Sequence, residues 1–214
     1  MASTGFILPG AAQTISETPW LDDTWTNVVN IYGAGVASIT AASYDAGDQS
    51  YVLKAYTFNL AAIPDGATIN GIEVRINARY AAGTASIDLV QLLDTARARV
   101  GTNKAATPQA VTGSLASYTF GTSTDQWGNA LTPAWVKDVD FGVGVGMIAN
   151  SANTDVEIDY IEINVHYTPP SATEEAATAA KNIECGGRVG ACGGRESSDR
   201  GGTQRNGCGA PGCR

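Results

Sequence analysis

The sequence predicts an all-β chain: an antiparallel β-sandwich, jelly-roll-like, followed by an irregular Gly/Cys-rich C-terminal tail. Three observations carry this. Short apolar runs alternate with polar residues at period two. Turn residues separate those runs at close intervals. The composition, with 25 glycines and only 16% charged residues in 214, suits strands and turns better than helices. A hydrophobic fraction of 43% is enough for one core.

The clearest element is Ile72–Tyr80, in which Ile72, Val74, Ile76, Ala78 and Tyr80 alternate with polar residues as a half-buried strand requires. Ser50–Leu60 reads as another strand. The turn Ile63-Pro-Asp-Gly-Ala67 lies between the two, so they are expected to be antiparallel neighbours. Ser86–Leu93 and Ser117–Thr122 continue the series, with a long polar loop from Gly101 to Ser114.

The last two strands are expected at Phe141–Met147 and Val156–Tyr167, joined by Asn150–Thr154 as a hairpin loop. Gly142, Gly144 and Gly146 leave one face of the first strand bare, so it must lie under something bulky or another backbone, for which tryptophan is the obvious cover. In the second strand the apolar phase slips near Tyr160 and Ile161, as a β-bulge would cause. Pro169-Pro170 ends the pattern. The resulting division is an N-terminal arm (1–24), the sandwich (25–168), a linker with a possible short helix capped by Ser171 or Thr173 (169–181), and a cross-linking tail (182–214).

Charge excludes some functions. Residues 1–170 hold seven Lys/Arg against sixteen Asp/Glu, a net of −9, whereas residues 171–214 hold six against five. An acidic body without a basic, aromatic-lined stripe argues against direct nucleic-acid binding. No run of about 18 apolar residues suggests a membrane span, and MASTGFILPGAAQ lacks the charged and apolar regions of a signal peptide.

Candidates for chemistry are few. His166 is the only histidine and falls in the polar phase of its strand, where a surface role is expected. No serine stands in a G-x-S-x-G context. Asp155, Glu157 and Asp159 alternate along one strand, with neighbours about 7 Å apart; that spacing suits a solvated or subunit-facing edge, a calcium site or a glycosidase carboxylate pair, in that order. Asp45 and Asp48 read as a loop. Trp20, Trp25, Trp127 and Trp135 are either core or sugar-stacking platforms, with packing preferred for Trp127. The sequence therefore points to no enzyme, no catalytic residue, no metal site and no cofactor.

Cys185, Cys192, Cys208 and Cys213 all lie in the tail, spaced C-x6-C-x15-C-x4-C, and the body contains none. The spacing lacks the tight C-x2-C knuckles of structural zinc sites. Disulfides within the tail or to neighbouring chains are the expected use, and Arg188, Arg195, Arg200, Arg205 and Arg214 either pair with acidic surfaces or keep the tail soluble.

Five phrases occur in a recognisable order: Ile63-Pro-Asp-Gly-Ala-Thr-Ile-Asn-Gly-Ile-Glu-Val74, Asp125-Gln-Trp-Gly128, Leu131-Thr-Pro133, Asp140-Phe-Gly-Val143 and Ile158-Asp-Tyr-Ile-Glu-Ile-Asn-Val-His-Tyr167. Together they resemble the β-sandwich modules of tailed-bacteriophage virions, found in head decoration, collar and fibre-type proteins, over roughly Trp25 to Thr168. The resemblance implies a structural role on the virion, assembled in the host cytoplasm, with other capsid, neck or tail proteins as partners. It carries no catalytic residues and does not extend to the cysteine tail. Homo-oligomers are expected, with a trimer as the first guess. The alternative function is a carbohydrate- or receptor-binding fibre module, and a glycosidase is the third.

Overall fold

Period-two alternation becomes two antiparallel sheets packed face to face. A computed structural model describes residues 1–40 and 44–171. Among them the strands are β1 (Ala2–Ser3), β2 (Ala11–Ile15), β3 (Tyr32–Thr40), β4 (Val52–Tyr56), β5 (Thr68–Ala82), β6 (Ala85–Leu93), β7 (Arg99–Val100), β8 (Gln109–Ala110), β9 (Ala116–Gly121), β10 (Gly142–Ala149) and β11 (Asp155–Thr168). A 3-10 turn covers Val28–Ile31, and the helical turn α1 covers Pro133–Val136. The tail cysteines and the expected helix after Ser171 lie outside the described residues.

The first sheet has the order β1-β11-β5-β9, with β3 also beside β11; the second has the order β2-β4-β10-β6-β7, with β8 beside β6. Their apolar faces meet. Ile72, Val74, Ile76 and Ala78 of β5 and Val156, Ile158, Ile161, Ile163 and Val165 of β11 are fully buried, as are Leu53, Ala55, Ile87, Val90, Leu92, Val143, Val145 and Met147 from the second sheet. Each buried Val, Leu or Ile contributes about 1.5–3 kcal/mol relative to exposure, and this interface is the main stabilising term.

The bulge expected at Tyr160 and Ile161 lies one residue earlier. Register shifts between Ile158 and Tyr160 against both β3 and β5, so Asp159 is the extra residue. The insertion returns Ile161, Ile163 and Val165 to the core after Val156 and Ile158, which is the phase slip seen in the sequence.

Two pairings differ from expectation. β4 and β5 are not neighbours: β4 pairs with β2 and β10, while β5 pairs with β11 and β9. The Ile63–Ala67 turn therefore carries the chain from one sheet to the other. Likewise β10 lies between β4 and β6, and β11 lies in the opposite sheet, so Asn150–Thr154 is an arch between layers and not a hairpin. Alternation reports which face of a strand is buried, and both arrangements bury the same face.

Residues 1–24 are also more than an arm. β1 pairs with the end of β11 through Ala2↔Tyr167 and Ser3↔His166, and Ile7 bridges Ile163. β2 then crosses to pair with β4 from Ala11↔Tyr56 to Ile15↔Val52. The segment supplies a strand to each sheet.

Candidate functional site

The glycines of β10 decide what lies on the outer face of the second sheet. With Val143 and Val145 facing inward, Gly142, Gly144 and Gly146 form a bare floor. A Cβ at Gly146 would stand 2.8 Å from the Trp20 indole, and one at Gly144 would stand 3.1 Å from Val52 and 3.5 Å from Leu93. Gly142 lies against the Ala55 carbonyl. Tryptophan is thus the cover at one of the three positions; aliphatic side chains and backbone cover the others.

Trp20 reaches this floor on the segment after β2, which turns sharply, with the Glu17 amide donating to the Trp20 carbonyl at 3.1 Å. Its indole N–H donates to Asp88 Oδ2 at 3.1 Å, and Gln49 Nε2 donates to the same oxygen. The Arg99 guanidinium lies 4.4 Å from the Trp20 ring centroid. Glu17 joins Arg99 to Lys54, whose ammonium also donates to the Arg97 carbonyl at 2.7 Å. Lys54 is 3% exposed, so this pairing offsets a desolvation that an unpaired ammonium would not survive. Burial pushes the Glu17 carboxyl up, but hydrogen bonds from Lys54 and Arg99 outweigh it and hold the group below its ordinary value. Arg97 repeats the motif beside it, 4.1 Å from the Tyr56 ring and bonded to Asp140.

Asp88 is the unusual member. It is 7% exposed, and its second oxygen, Oδ1, has no hydrogen-bond partner among the described residues. Burial lifts its carboxyl above the usual range, against the bonds from Gln49 and Trp20 that favour the charged form. Glu17, Lys54, Asp88 and Arg99 were not singled out from the sequence. The available signal was a charge inside an apolar strand: Lys54 within Val52–Tyr56 and Asp88 within Ala85–Leu93.

Apart from Trp20, the residues that the sequence marks are engaged in structural contacts. Trp25 and Trp127 are buried, with indole N–H groups on the carbonyls of Tyr51 at 2.9 Å and Ile72 at 2.8 Å. Trp135 lies half-buried in α1, whose first turn is capped by Thr132. His166 is not a free surface residue: its Nε2 lies 2.8 Å from Glu73 Oε2 and 3.1 Å from Asn164 Nδ2. On the same outer face of the first sheet, Arg75 bonds Glu162 and stacks 3.9 Å from the Phe6 ring centroid. Glu157 bonds Arg79, and Asp159 occupies the bulge. These cross-strand rungs tie β5 to β11. Asp45 and Asp48 accept hydrogen bonds from the Asn153 and Asp45 amides and so brace a turn. Among the described residues no group of three or more His, Cys, Asp or Glu is arranged to hold a metal ion.

No family model and no curated protein matches the chain. Among solved structures it is similar to the CBM22-1 xylan-binding domain of Paenibacillus barcinonensis Xyn10C, at 12% identity over 77% of this chain and 97% of that one, with a TM-score of 0.30. It is also similar to the N-terminal cellulose-binding domain of Cellulomonas fimi β-1,4-glucanase C, at 13% identity over 78% and 94%, with a TM-score of 0.32. Values of this size carry no argument about ligands or partners.

Asp88 gives a pH signature. A carboxyl whose folded pKa is raised contributes stability that is full below the unfolded value of about 3.9 and is lost as pH rises through the folded value. In urea titrations the stability of the wild type relative to Asp88→Asn is therefore expected to fall as pH is raised from about 4 to 7. A difference that does not change with pH contradicts the assignment.

Proposed function

We propose that the chain is a non-enzymatic structural protein of a tailed-phage virion, decorating the head or forming a neck collar, with other virion proteins and further copies of itself as partners. The supporting observation is where the five recognisable phrases fall. Asp125–Gly128 presents Trp127, the largest fully buried side chain. Ile63–Val74 supplies the turn between sheets and the start of β5, and Lys137 binds both the Ile63 carbonyl and Asp65. Leu131–Pro133 caps α1, Asp140–Val143 carries Phe141 into the core and Asp140 onto Arg97, and Ile158–Tyr167 is the body of β11. The phrases that carry the resemblance are those that build the sandwich, as expected if it is the sandwich itself that is used.

In this reading Cys185, Cys192, Cys208 and Cys213 are fasteners that stay reduced in the host cytoplasm and oxidise in the released particle, within the tail or to a neighbouring chain. Purified particles, alkylated at once and run on non-reducing and reducing gels with peptide mapping, test this. The chain is expected in the particle, with cysteine-linked peptides that disappear on reduction. Its absence from particles overturns the virion reading. Its presence with four free thiols overturns only the fastener.

A second reading, a carbohydrate-binding fibre module, has Trp20 in its favour: a half-buried indole beside the amide of Gln49, group types that bind sugars by stacking and hydrogen bonds once the Arg99 guanidinium over the ring is displaced. On a glycan array this reading predicts binding that Trp20→Ala abolishes. No binding, or binding indifferent to Trp20→Ala, removes it.

A further inference from the structure

β9 is an edge strand of a kind that folded chains seldom leave open. It pairs with β5 without a register break, from Glu73↔Gly121 to Ala78↔Ala116. Its residues, Ala-Ser-Tyr-Thr-Phe-Gly, include no charge and no proline. Among the described residues its backbone makes no hydrogen bond beyond that ladder. Natural edges are blunted by lysine, proline, bulges or shortness, because a bare row of N–H and C=O groups is a template for another strand. Most of the other edges are blunted, β1 by its length of two residues. Thr26 bonds Ser38 on the outer side of β3, the Tyr32 hydroxyl meets the backbone of Ala12 on β2, and β7 and β8 have two residues each.

The sequence of β9 also fits itself. Two copies paired antiparallel about Tyr118 place Tyr118 against Tyr118 of the second copy on the inner face, and large Phe120 against small Ala116. On the outer face Ser117 meets Thr119, two hydroxyls that can bond each other. One residue beyond the strand, Leu115, a large apolar side chain 42% exposed, comes opposite Gly121 of the second copy, where φ +77° ends the extended run. No like charges face each other. The outer-face carboxylates nearest the edge are Glu73 on β5, which is bonded to His166, and Glu157 and Glu162 on β11, two strands from β9. At about 4.8 Å per strand the Glu73 carboxylates of two copies stay at least about 14 Å apart and the β11 rows about 24 Å, beyond the Debye length of about 8 Å, so their mutual repulsion is largely screened.

We propose that β9 is a self-association edge: two copies of this chain join β9 to β9 across a two-fold axis, forming one continuous sheet. The pairing satisfies both open edges at once, which a single foreign strand does not. It makes the building unit a dimer in place of the trimer expected from the sequence, and it stands whether or not the protein belongs to a virion.

Sedimentation equilibrium of the full chain, reduced so that the tail cysteines cannot link copies, tests it. The wild type is expected at twice the 22.0 kDa chain mass. Ser117→Glu combined with Thr119→Glu puts carboxylates opposite each other across the two-fold axis and is expected to raise the dissociation constant by at least about tenfold. Ser117→Lys combined with Thr119→Glu puts unlike charges opposite and is expected to retain the dimer. Both positions are exposed, so both variants should keep the wild-type circular dichroism spectrum. A reduced wild type of one or three chain masses, a dimer unmoved by the paired glutamates, or a folded Lys/Glu variant that is monomeric each overturns the proposal.

Discussion

One buried contact, the hydrogen bond from the Trp127 indole to the Ile72 carbonyl, fixes how the layers meet. Trp127 has φ +59°, held by its amide on Asp125 Oδ1 at 2.8 Å, and its carbonyl accepts from the Thr102 amide at 2.8 Å. The contact thus joins β5, the loop after β7 and the start of the segment leading to α1. Room for it is made by glycine. A Cβ at Gly121 would meet the Ile72 carbonyl and stand 2.9 Å from the Trp127 indole nitrogen, and one at Gly71 would stand 2.5 Å from the Asp125 amide. Gly71 is required by close approach, and Gly121, at φ +77°, by close approach and by its left-handed backbone.

With the layers held this way, the two outer faces differ in kind. The first sheet carries ladder rungs of opposite charge between β5 and β11. The second is covered by Trp20, Arg99, Glu17 and Lys54 over a glycine floor. Half-exposed ion pairs of the first sort contribute little each, about 0–1 kcal/mol. The Lys54 pairing is of the other sort, because removing Glu17 would leave a buried ammonium without its partner. Both faces bind strands to one another, and among the described residues β9 stays open along its outer edge.

The existence of the long strands was legible because their alternation is strict: Ile72 to Tyr80 reads directly as one buried face. Their pairing was not. In a sandwich consecutive strands often cross between sheets, and neither the Ile63–Ala67 turn nor the Asn150–Thr154 arch carries a signal separating a crossing from a hairpin. β1 and β2 were illegible for a different reason. They are short edge strands with no alternation of their own, stabilised by backbone bonds to β11 and β4. The glycine floor was visible in the sequence, and so was the need to cover it. Trp20 as the cover at Gly146 followed from the path of the N-terminal segment, which no local pattern encodes. The charges of Lys54 and Asp88 inside apolar strands were the one unused clue to the outer face of the second sheet.

The most direct test of the Trp127 contact as the point on which the sandwich depends is the unfolding free energy of Trp127→Phe, measured by urea titration against the wild type. Phenylalanine keeps an aromatic ring but leaves the buried Ile72 carbonyl without its donor. The account predicts a loss of at least about 1–3 kcal/mol, the cost of one buried unsatisfied group, with a correspondingly lower midpoint. An unchanged midpoint would contradict it and would leave Trp127 as one packed side chain among many.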